Sequence, residues 1–533
     1  MHQDREKIVD HEDANRNRST ATASSLDVES APQTKPERPA QDPEDASHRP
    51  IEPEPEPEPE PVQRSERRGL LTSFLVIPEV KNPHYYGSST KWLMTTIVAL
   101  AGTTSSTGSS IFYPALRDVA ADLDTTQVVT NLSLAFYLLA MAITPLWWSM
   151  YSELIGRRTI YLVSFFFFVV FSVICAVSRN IAMLIVFRVL SGGAAASVQA
   201  VGAGTIADLF EPRQRGKAMG IFFLGPLCGP GIAPIIGGAL TERFGWQSTQ
   251  YFLAIFGGVL WLLILFFLPE TVKAKHPSSN EQTPKPKLTL GEFLKRCVRP
   301  LKTLGLLRHP PIFVAIYSGA LAFAVTYVVY ISIQSDFPIA PYHFTDVEVG
   351  LVYLAPTIGY AISSILGGRW HDSIMAREAK KAGRYGPDGK LKYLPEDRLK
   401  ENVWIATILY PGTVLWFGWT LQKGIHWAVP AVASLVYGIF SMLLYGAVTT
   451  VLTEFTPNRS SSGIALNNFT RQILATIATV VTQPLIEAIG TGYLTVLVGL
   501  FALVTTLAAL LALRIRGPQW RVQMERKFVV SQD

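Results

Sequence analysis

The chain has 533 residues, 49% of them hydrophobic and 17% charged, with a formal net charge of +6. A soluble globular chain carries about a quarter charged residues, and most charges here lie in two tails and two loops, which excludes a soluble protein. The basic residues flank apolar stretches, so they point to a membrane surface and not to nucleic acid.

Residues 1–90 are polar and include the run Ile51–Pro61 (IEPEPEPEPEP). Such a segment cannot bury enough apolar surface to offset its ordering entropy, so a disordered cytosolic tail is expected. A bilayer core of about 30 Å needs about 20 apolar residues in helix. Twelve such stretches follow, at 92–113, 127–149, 159–178, 181–208, 216–240, 250–269, 312–335, 349–370, 402–421, 427–453, 462–486 and 491–513. The reading is an all-α polytopic membrane protein of twelve helices in two pseudo-symmetric six-helix bundles, 91–270 and 312–513. A basic linker at 271–311 joins them, a cytosolic insert spans 371–401, and a cytosolic tail spans 514–533. Lys and Arg cluster in the loops on one side, so both termini are predicted cytosolic.

The first span carries the polar run Thr103–Ser110, which either lines a wet path or packs helices. At the end of the second stands Glu153, followed by Gly156, Arg157 and Arg158; the eighth has Asp372 at the corresponding place. The fourth ends with Asp208 before Pro212 and Arg213, and the tenth with Glu454 before Pro457 and Arg459. These echoes between the halves are a transporter signature.

The fifth span reads Gly225-Pro226-Leu227-Cys228-Gly229-Pro230-Gly231-Ile232-Ala233-Pro234-Ile235-Ile236-Gly237-Gly238. Small residues four apart give a flat helix face that another backbone can approach closely. Each proline removes an N–H and bends the helix. The segment is either a kinked packing helix or the seam along which two halves rock.

Arg188 in the fourth span and Arg471 in the eleventh are ionisable residues inside apolar stretches. A membrane charge costs at least ~2.5 kcal/mol and normally faces a cavity or a partner. Each is either an anion site or a structural contact. Tyr137, Tyr327, Tyr330, Asn467 and Asn468 are candidate cavity residues, and Asp336, followed by Asp208, is the candidate titrating acid. The three cysteines, Cys175, Cys228 and Cys297, show no metal-ligand spacing and no disulfide framework. No GxxxxGK[ST] loop and no nucleophile elbow occurs, so neither an ATP-driven pump nor an enzyme is expected.

The fifth-span segment resembles the antiporter motif of the major facilitator superfamily, in the twelve-span drug:proton antiporter branch common in fungi. Glu153–Arg158 (ELIGRR) resembles that superfamily's loop between the second and third spans, and Arg188-x-x-x-Gly192 its fourth-span motif. Leu268-Pro269-Glu270-Thr271 closes the sixth span as in many members. Asn467-Asn468-x-x-Arg471 resembles a fungal subgroup of quinidine-resistance-type and organic-acid exporters. Ser149, Glu153, Leu154 and Ser191 depart from the usual pattern.

The resemblance implies the major facilitator fold and a monomeric secondary exporter of drugs, toxins or secondary metabolites. It would work by proton-coupled antiport and alternating access, without metal or cofactor. Its partners would be a small-molecule substrate, protons and the lipid bilayer, with no nucleic acid. The alternative is export of organic acids; a transporter-like receptor ranks below both. The plasma membrane is the expected location, with the vacuolar membrane as the alternative. Arg188, Arg471, Asn467, Asn468, Asp336, Tyr327, Tyr330 and Tyr137 would serve substrate or coupling. Glu153, Gly156, Arg157, Arg158, Asp208 and Asp372 would form the gating loop. Gly225, Pro226, Gly229, Pro230, Pro234, Gly237 and Gly238 would form the antiporter motif.

Overall fold

The computed structural model describes residues 61–62, 68–272, 299–385, 397, 400–455 and 460–530. Most of the tail, most of the linker, part of the insert and the last three residues therefore lie outside the described residues, as do the side chains of Asp372 and Glu454 and the packing of Gly225. Among the described residues the secondary structure is helical apart from one isolated bridge, Pro61 to Val80.

Among the described residues nine helices are long and apolar enough to cross a membrane. Three further long helices complete twelve: the first span Ser88–Ser110, the fifth Pro212–Phe244 and the ninth Asn402–Gln422. Their hydropathy is diluted by the polar run of the first, the Gly and Pro of the fifth, and the Trp, Tyr, Gly and Pro of the ninth. The second span is Gln127–Ile155, the third Arg157–Ala176 and the sixth Gln247–Phe267. The seventh is Pro310–Asp336, the tenth Ala428–Phe455, the eleventh Ser460–Ile489 and the twelfth Thr491–Val530.

Two spans are interrupted. The fourth divides at Ala196 into Ile181–Ala195 and Ser197–Leu209, and the eighth divides at Tyr353 into Asp346–Val352 and Leu354–Lys381. Both ends of the chain depart from the sequence expectation. The eighth span stays helical to Lys381, inside the expected insert, and the twelfth continues to Val530 through the expected C-terminal tail. Residues 68–87, expected as disordered tail, pack onto the first bundle, with Leu75, Val80 and Tyr86 buried. Their apolar side chains have a surface to bury against, which the composition of the tail as a whole conceals.

The pairing of helices repeats. In the first half the first span packs on the fifth, the second on the fourth and the third on the sixth; in the second half the seventh packs on the eleventh, the eighth on the tenth and the ninth on the twelfth. Adding six to each number converts one set into the other. The two contacts that join the halves obey the same rule, fifth with eighth and eleventh with second.

The end of the molecule that carries Arg157, Arg158 and Arg514 is called here the basic end. The joining contacts gather toward the opposite end. There Val347 donates its N–H to Glu242 across the fifth–eighth contact, and Gln483 donates to Gln127 across the eleventh–second contact.

The fifth helix runs unbroken through Pro226, Pro230 and Pro234. Its small residues serve two faces. A side chain at Gly229 would collide with Ser106, and one at Gly237 with the carbonyl of Ile111, so this face fits the first span of its own bundle. A side chain at Gly231 would collide with Thr357, and one at Gly238 with the carbonyl of Asp346. Gly350 in turn lies against the Pro234 carbonyl, so this second face fits the eighth span. The regular four-residue spacing thus marks packing inside a bundle, and the extra glycines mark the seam between bundles.

Backbone contacts of this kind have no flexible side chain to yield. Replacing Gly238 by Val is expected to cut transport about fivefold or more while the protein still inserts, because overpacking of about 1–3 kcal/mol falls on the state in which the seam is closed. Transport by Gly238→Val at the wild-type rate, at matched membrane abundance, would contradict the seam.

Candidate functional site

Arg188 lies at the centre of the first bundle and is fully buried. Its guanidinium carbon sits 4.2 Å from the Phe112 ring centroid and 4.9 Å from that of Tyr137. Nη2 donates to the Gly108 carbonyl at 3.1 Å, while Nε and Nη1 have no hydrogen-bond partner. Glycines make the sandwich possible. A side chain at Gly192 would press into the Tyr137 ring at 2.8 Å, and one at Gly108 would collide with the Tyr137 hydroxyl. The Arg188-x-x-x-Gly192 spacing therefore places a charge one helical turn from the gap that admits its aromatic cover. Phe112 comes from the turn after the first span, which ends at Ser110.

Arg471 has the matching environment in the second bundle. Its guanidinium carbon lies 4.2 Å from the Phe323 ring centroid and 5.8 Å from that of Tyr445, and its Nε has no partner. One turn earlier, Asn467 donates to the Tyr445 hydroxyl at 3.4 Å and leaves its own Oδ1 unpartnered. A desolvated cation over a ring face gains about 2 kcal/mol. That falls short of the cost of burying a charge without an acceptor. Among the described residues neither arginine forms a salt bridge.

Aromatic rings connect the two sites across the bundles. Tyr113, next to Phe112, stacks on Tyr353 at 5.4 Å and meets Tyr330 edge-on at 5.5 Å. Tyr330 lies 6.1 Å from Tyr327, which lies 5.3 Å from Phe323 beneath Arg471. Tyr353 occupies the break in the eighth span and donates to the Tyr330 carbonyl at 2.8 Å. Tyr360 donates to Thr326, which bonds Tyr437 at 2.9 Å. The predicted Tyr137, Tyr327 and Tyr330 all belong to this cluster; Phe112, Tyr113, Tyr353, Phe323 and Tyr445 are further members that the sequence reading did not name. Asn468 is half-buried beside Asn467. Asp336 lies apart from the cluster, half-buried at the opposite end and bonded to Thr491.

Of the predicted gating residues, Gly156, Arg157, Arg158 and Asp208 gather at the basic end. Arg157 pairs with Asp208 at 3.2 Å and donates to Ser152 at 2.6 Å. Glu153 stands exposed, with no ion pair among the described residues. The carboxylate at the start of the third span is instead Glu270. It accepts backbone N–H bonds from Arg157, Arg158, Thr271 and Val272. A carboxylate at a helix N-terminus satisfies donors that the helix itself leaves open. Burial pushes the Glu270 carboxyl above its ordinary value, and these backbone donors oppose the shift. Gly156 beside it has φ of 100°, and any side chain there would strike the same carboxylate.

Arg158 is buried, and its side chain donates to five carbonyls. It donates to Ile264, Leu265 and Leu268 at the end of the sixth span, and to Leu70 and Leu71 in the segment before the first. Val76 adds a backbone bond to Phe266 at 2.9 Å, and buried Glu79 pairs with Arg68 at 2.8 Å. The third span, the sixth span and the N-terminal segment are thus tied at one arginine. A separate groove of about 600 Å³ between the second, third and fourth spans is lined by Trp147, Trp148, Phe167, Phe171 and other apolar side chains. Its apolar walls suit contact with lipid, and it holds no charged group.

Comparison with known proteins agrees with this geometry. Residues 98–480 match the family profile described as Major Facilitator Superfamily. The chain is 34% identical over 580 aligned residues to MFS antiporter QDR3 of Candida albicans (strain SC5314 / ATCC MYA-2876), covering 86% of this chain and 82% of that one. It is 27% identical to Quinidine resistance protein 3 of Saccharomyces cerevisiae (strain ATCC 204508 / S288c), covering 86% and 87% respectively. The fold is shared with the crystal structure of a D-xylose-proton symporter, at a TM-score of 0.58 and 12% identity, covering 78% of this chain and 97% of that one.

The tie at the basic end has a measurable weight. Lysine offers three donors from one point where Arg158 serves five carbonyls, so Arg158→Lys is expected to destabilise the protein by about 2–3 kcal/mol. A lower unfolding temperature of the purified protein checks this; an unchanged one contradicts it.

Proposed function

The chain belongs to the Major Facilitator Superfamily, and from that premise we propose that it exports small amphipathic molecules by alternating access, driven by inward movement of protons. The observation that carries the reading is the aromatic run from Phe112 to Phe323, which joins two charged sites across the bundle boundary. A substrate held there touches both bundles, so its binding acts on their relative position. Ring faces suit flat apolar bodies of varied shape, as expected for drugs, toxins or secondary metabolites. The similarity to proteins named for quinidine resistance and antiport supports the same direction.

In this reading the basic end is cytosolic, because positively charged loops stay on that side. Both termini are then cytosolic, and the contacts between the fifth and eighth spans close the outer side. The plasma membrane is the proposed location, and the monomer the working unit. The Arg157–Asp208 pair and the Glu270 cap keep the inner end of the first bundle rigid, and Glu153 stands free to pair in the other state.

A second reading, export of carboxylate anions, has its own support. Arg188 keeps two donor nitrogens without an acceptor in a fully buried position, and no carboxylate of the protein answers either arginine among the described residues. A substrate carboxylate can accept from Nη1 at the forked end of the guanidinium or from Nε along its edge.

Efflux from energised vesicles separates the readings. Export of amphipathic drugs should stop when an uncoupler collapses the proton gradient, and uncoupler-insensitive export would contradict the coupling. Arg188→Lys keeps the charge and loses the fork. It should lower transport of a carboxylate about tenfold or more if that anion is the substrate, and should leave a cationic drug less affected.

A further inference from the structure

Ahead of the first span, residues 70–76 (LLTSFLV) wrap around the short 3-10 turn Thr72–Phe74. Leu75 is buried against the bundle, while Leu70, Leu71, Phe74 and Val76 are 45%, 40%, 53% and 65% exposed. Four large apolar side chains turned outward from so short a segment form a patch that water disfavours.

The backbone that carries the patch is committed. The Leu70 N–H donates to the Thr159 hydroxyl at 3.2 Å, and Arg158 donates to the carbonyls of Leu70 and Leu71, each at 3.1 Å. The Phe74 N–H donates to the Leu71 carbonyl at 3.3 Å, that of Leu75 to Thr72 at 3.2 Å, and that of Val76 to Phe266 at 2.9 Å. Each of the four outward side chains therefore stands on backbone that already has a partner. Backbone polar groups must be satisfied in this way wherever a chain enters an apolar phase.

The anchor points set the height of the segment. Thr159 opens the apolar stretch 159–178 of the third span, and Phe266 lies in the last turn of the sixth, inside the stretch 250–269. Tyr251, Ile255, Val259 and Leu262 stand exposed at helical spacing along the sixth span, which marks the face that this span turns to lipid. Phe266 is the next residue of that series, so the patch begins where the lipid-facing stripe ends. A patch bathed in water would lie beyond the apolar stretches; this one is level with their ends.

We propose that residues 70–76 seat in the membrane leaflet at the basic end, where Leu70, Leu71, Phe74 and Val76 contact phospholipid. The lipid contact holds the Leu70 and Leu71 carbonyls against Arg158 and so braces the junction of the third and sixth spans. That this leaflet is the cytosolic one rests on the orientation proposed above; the contact with lipid does not.

The experiment is photocrosslinking of the full-length chain in phosphatidylcholine nanodiscs, with benzoylphenylalanine in place of Phe74 or Val76 and mass spectrometry of the products. Ile255 calibrates a lipid-facing position, and Tyr385, exposed beyond the eighth span, a wetted one. Phospholipid adducts at 74 and 76 should form about fivefold or more above the yield at 385, a ratio equivalent to about 1 kcal/mol, and should approach the yield at 255. Independently, Phe74→Asp should lower the unfolding midpoint in nanodiscs and Tyr385→Asp should not, because a charge is costly in lipid and nearly neutral on a wetted surface. Adducts to the linker 273–298 in place of lipid, yields at 74 and 76 no higher than at 385, or a Phe74→Asp midpoint equal to that of the wild type would each overturn the proposal. Neither readout involves transport, so a failure here leaves the proposed function standing.

Discussion

The close approach of the fifth span to the eighth constrains what else the molecule can do. At Gly238 and Gly350 backbone atoms, and at Gly231 the Thr357 side chain, of one bundle occupy the place a side chain would take on the other. The same helix presses Gly229 and Gly237 onto the first span. One helix is thereby fixed on one face and free to part on the other. A contact made of backbone has no rotamers with which to adjust, so it is either closed or open. That property suits a boundary between two rigid bodies.

Around this boundary the chain repeats itself. Spans 1–5, 2–4 and 3–6 pair as 7–11, 8–10 and 9–12 do, and the joining contacts exchange under the same operation. The chemistry is less symmetric than the packing. Arg188 lies on the fourth span and Arg471 on the eleventh, yet each rests 4.2 Å from a ring centroid and keeps at least one donor nitrogen unpartnered. In a low-dielectric interior an unpartnered donor costs free energy. A substrate that supplies acceptors to these donors would recover that cost.

Much of this was legible in the sequence, where a local rule and the fold agree. Apolar stretches of bilayer length gave the spans, and the fifth span stood out as a close-packing helix, although its four-residue repeat serves the first span and the extra glycines Gly231 and Gly238 meet the eighth. Arg188 and Arg471 stood out because charge inside an apolar run is expensive. Tyr137, Tyr327 and Tyr330, expected as cavity residues, stand in the buried aromatic cluster. What stayed hidden depends on tertiary contact. Phe112 and Tyr113 sit in a turn whose direction no periodicity records. Glu270 caps a helix more than a hundred residues away, a partnership without any local signal. Tyr353 matters because the eighth span breaks there. The packing of residues 68–87 follows in part from carbonyls that Arg158 gathers from two separate segments, residues 70–71 and the end of the sixth span, and a polar tail conceals it.

The central claim is that two rigid bundles turn about the fifth-span seam. Spin labels at Asp124 and Lys423 report the distance between bundles at the end where the seam is closed, and labels at Ile155 and Ser373 report it at the basic end. Double electron–electron resonance on both pairs should show reciprocal changes when substrate or a proton gradient is applied, one distance lengthening as the other shortens. Distances that stay fixed, or that lengthen together, would contradict rotation about that helix.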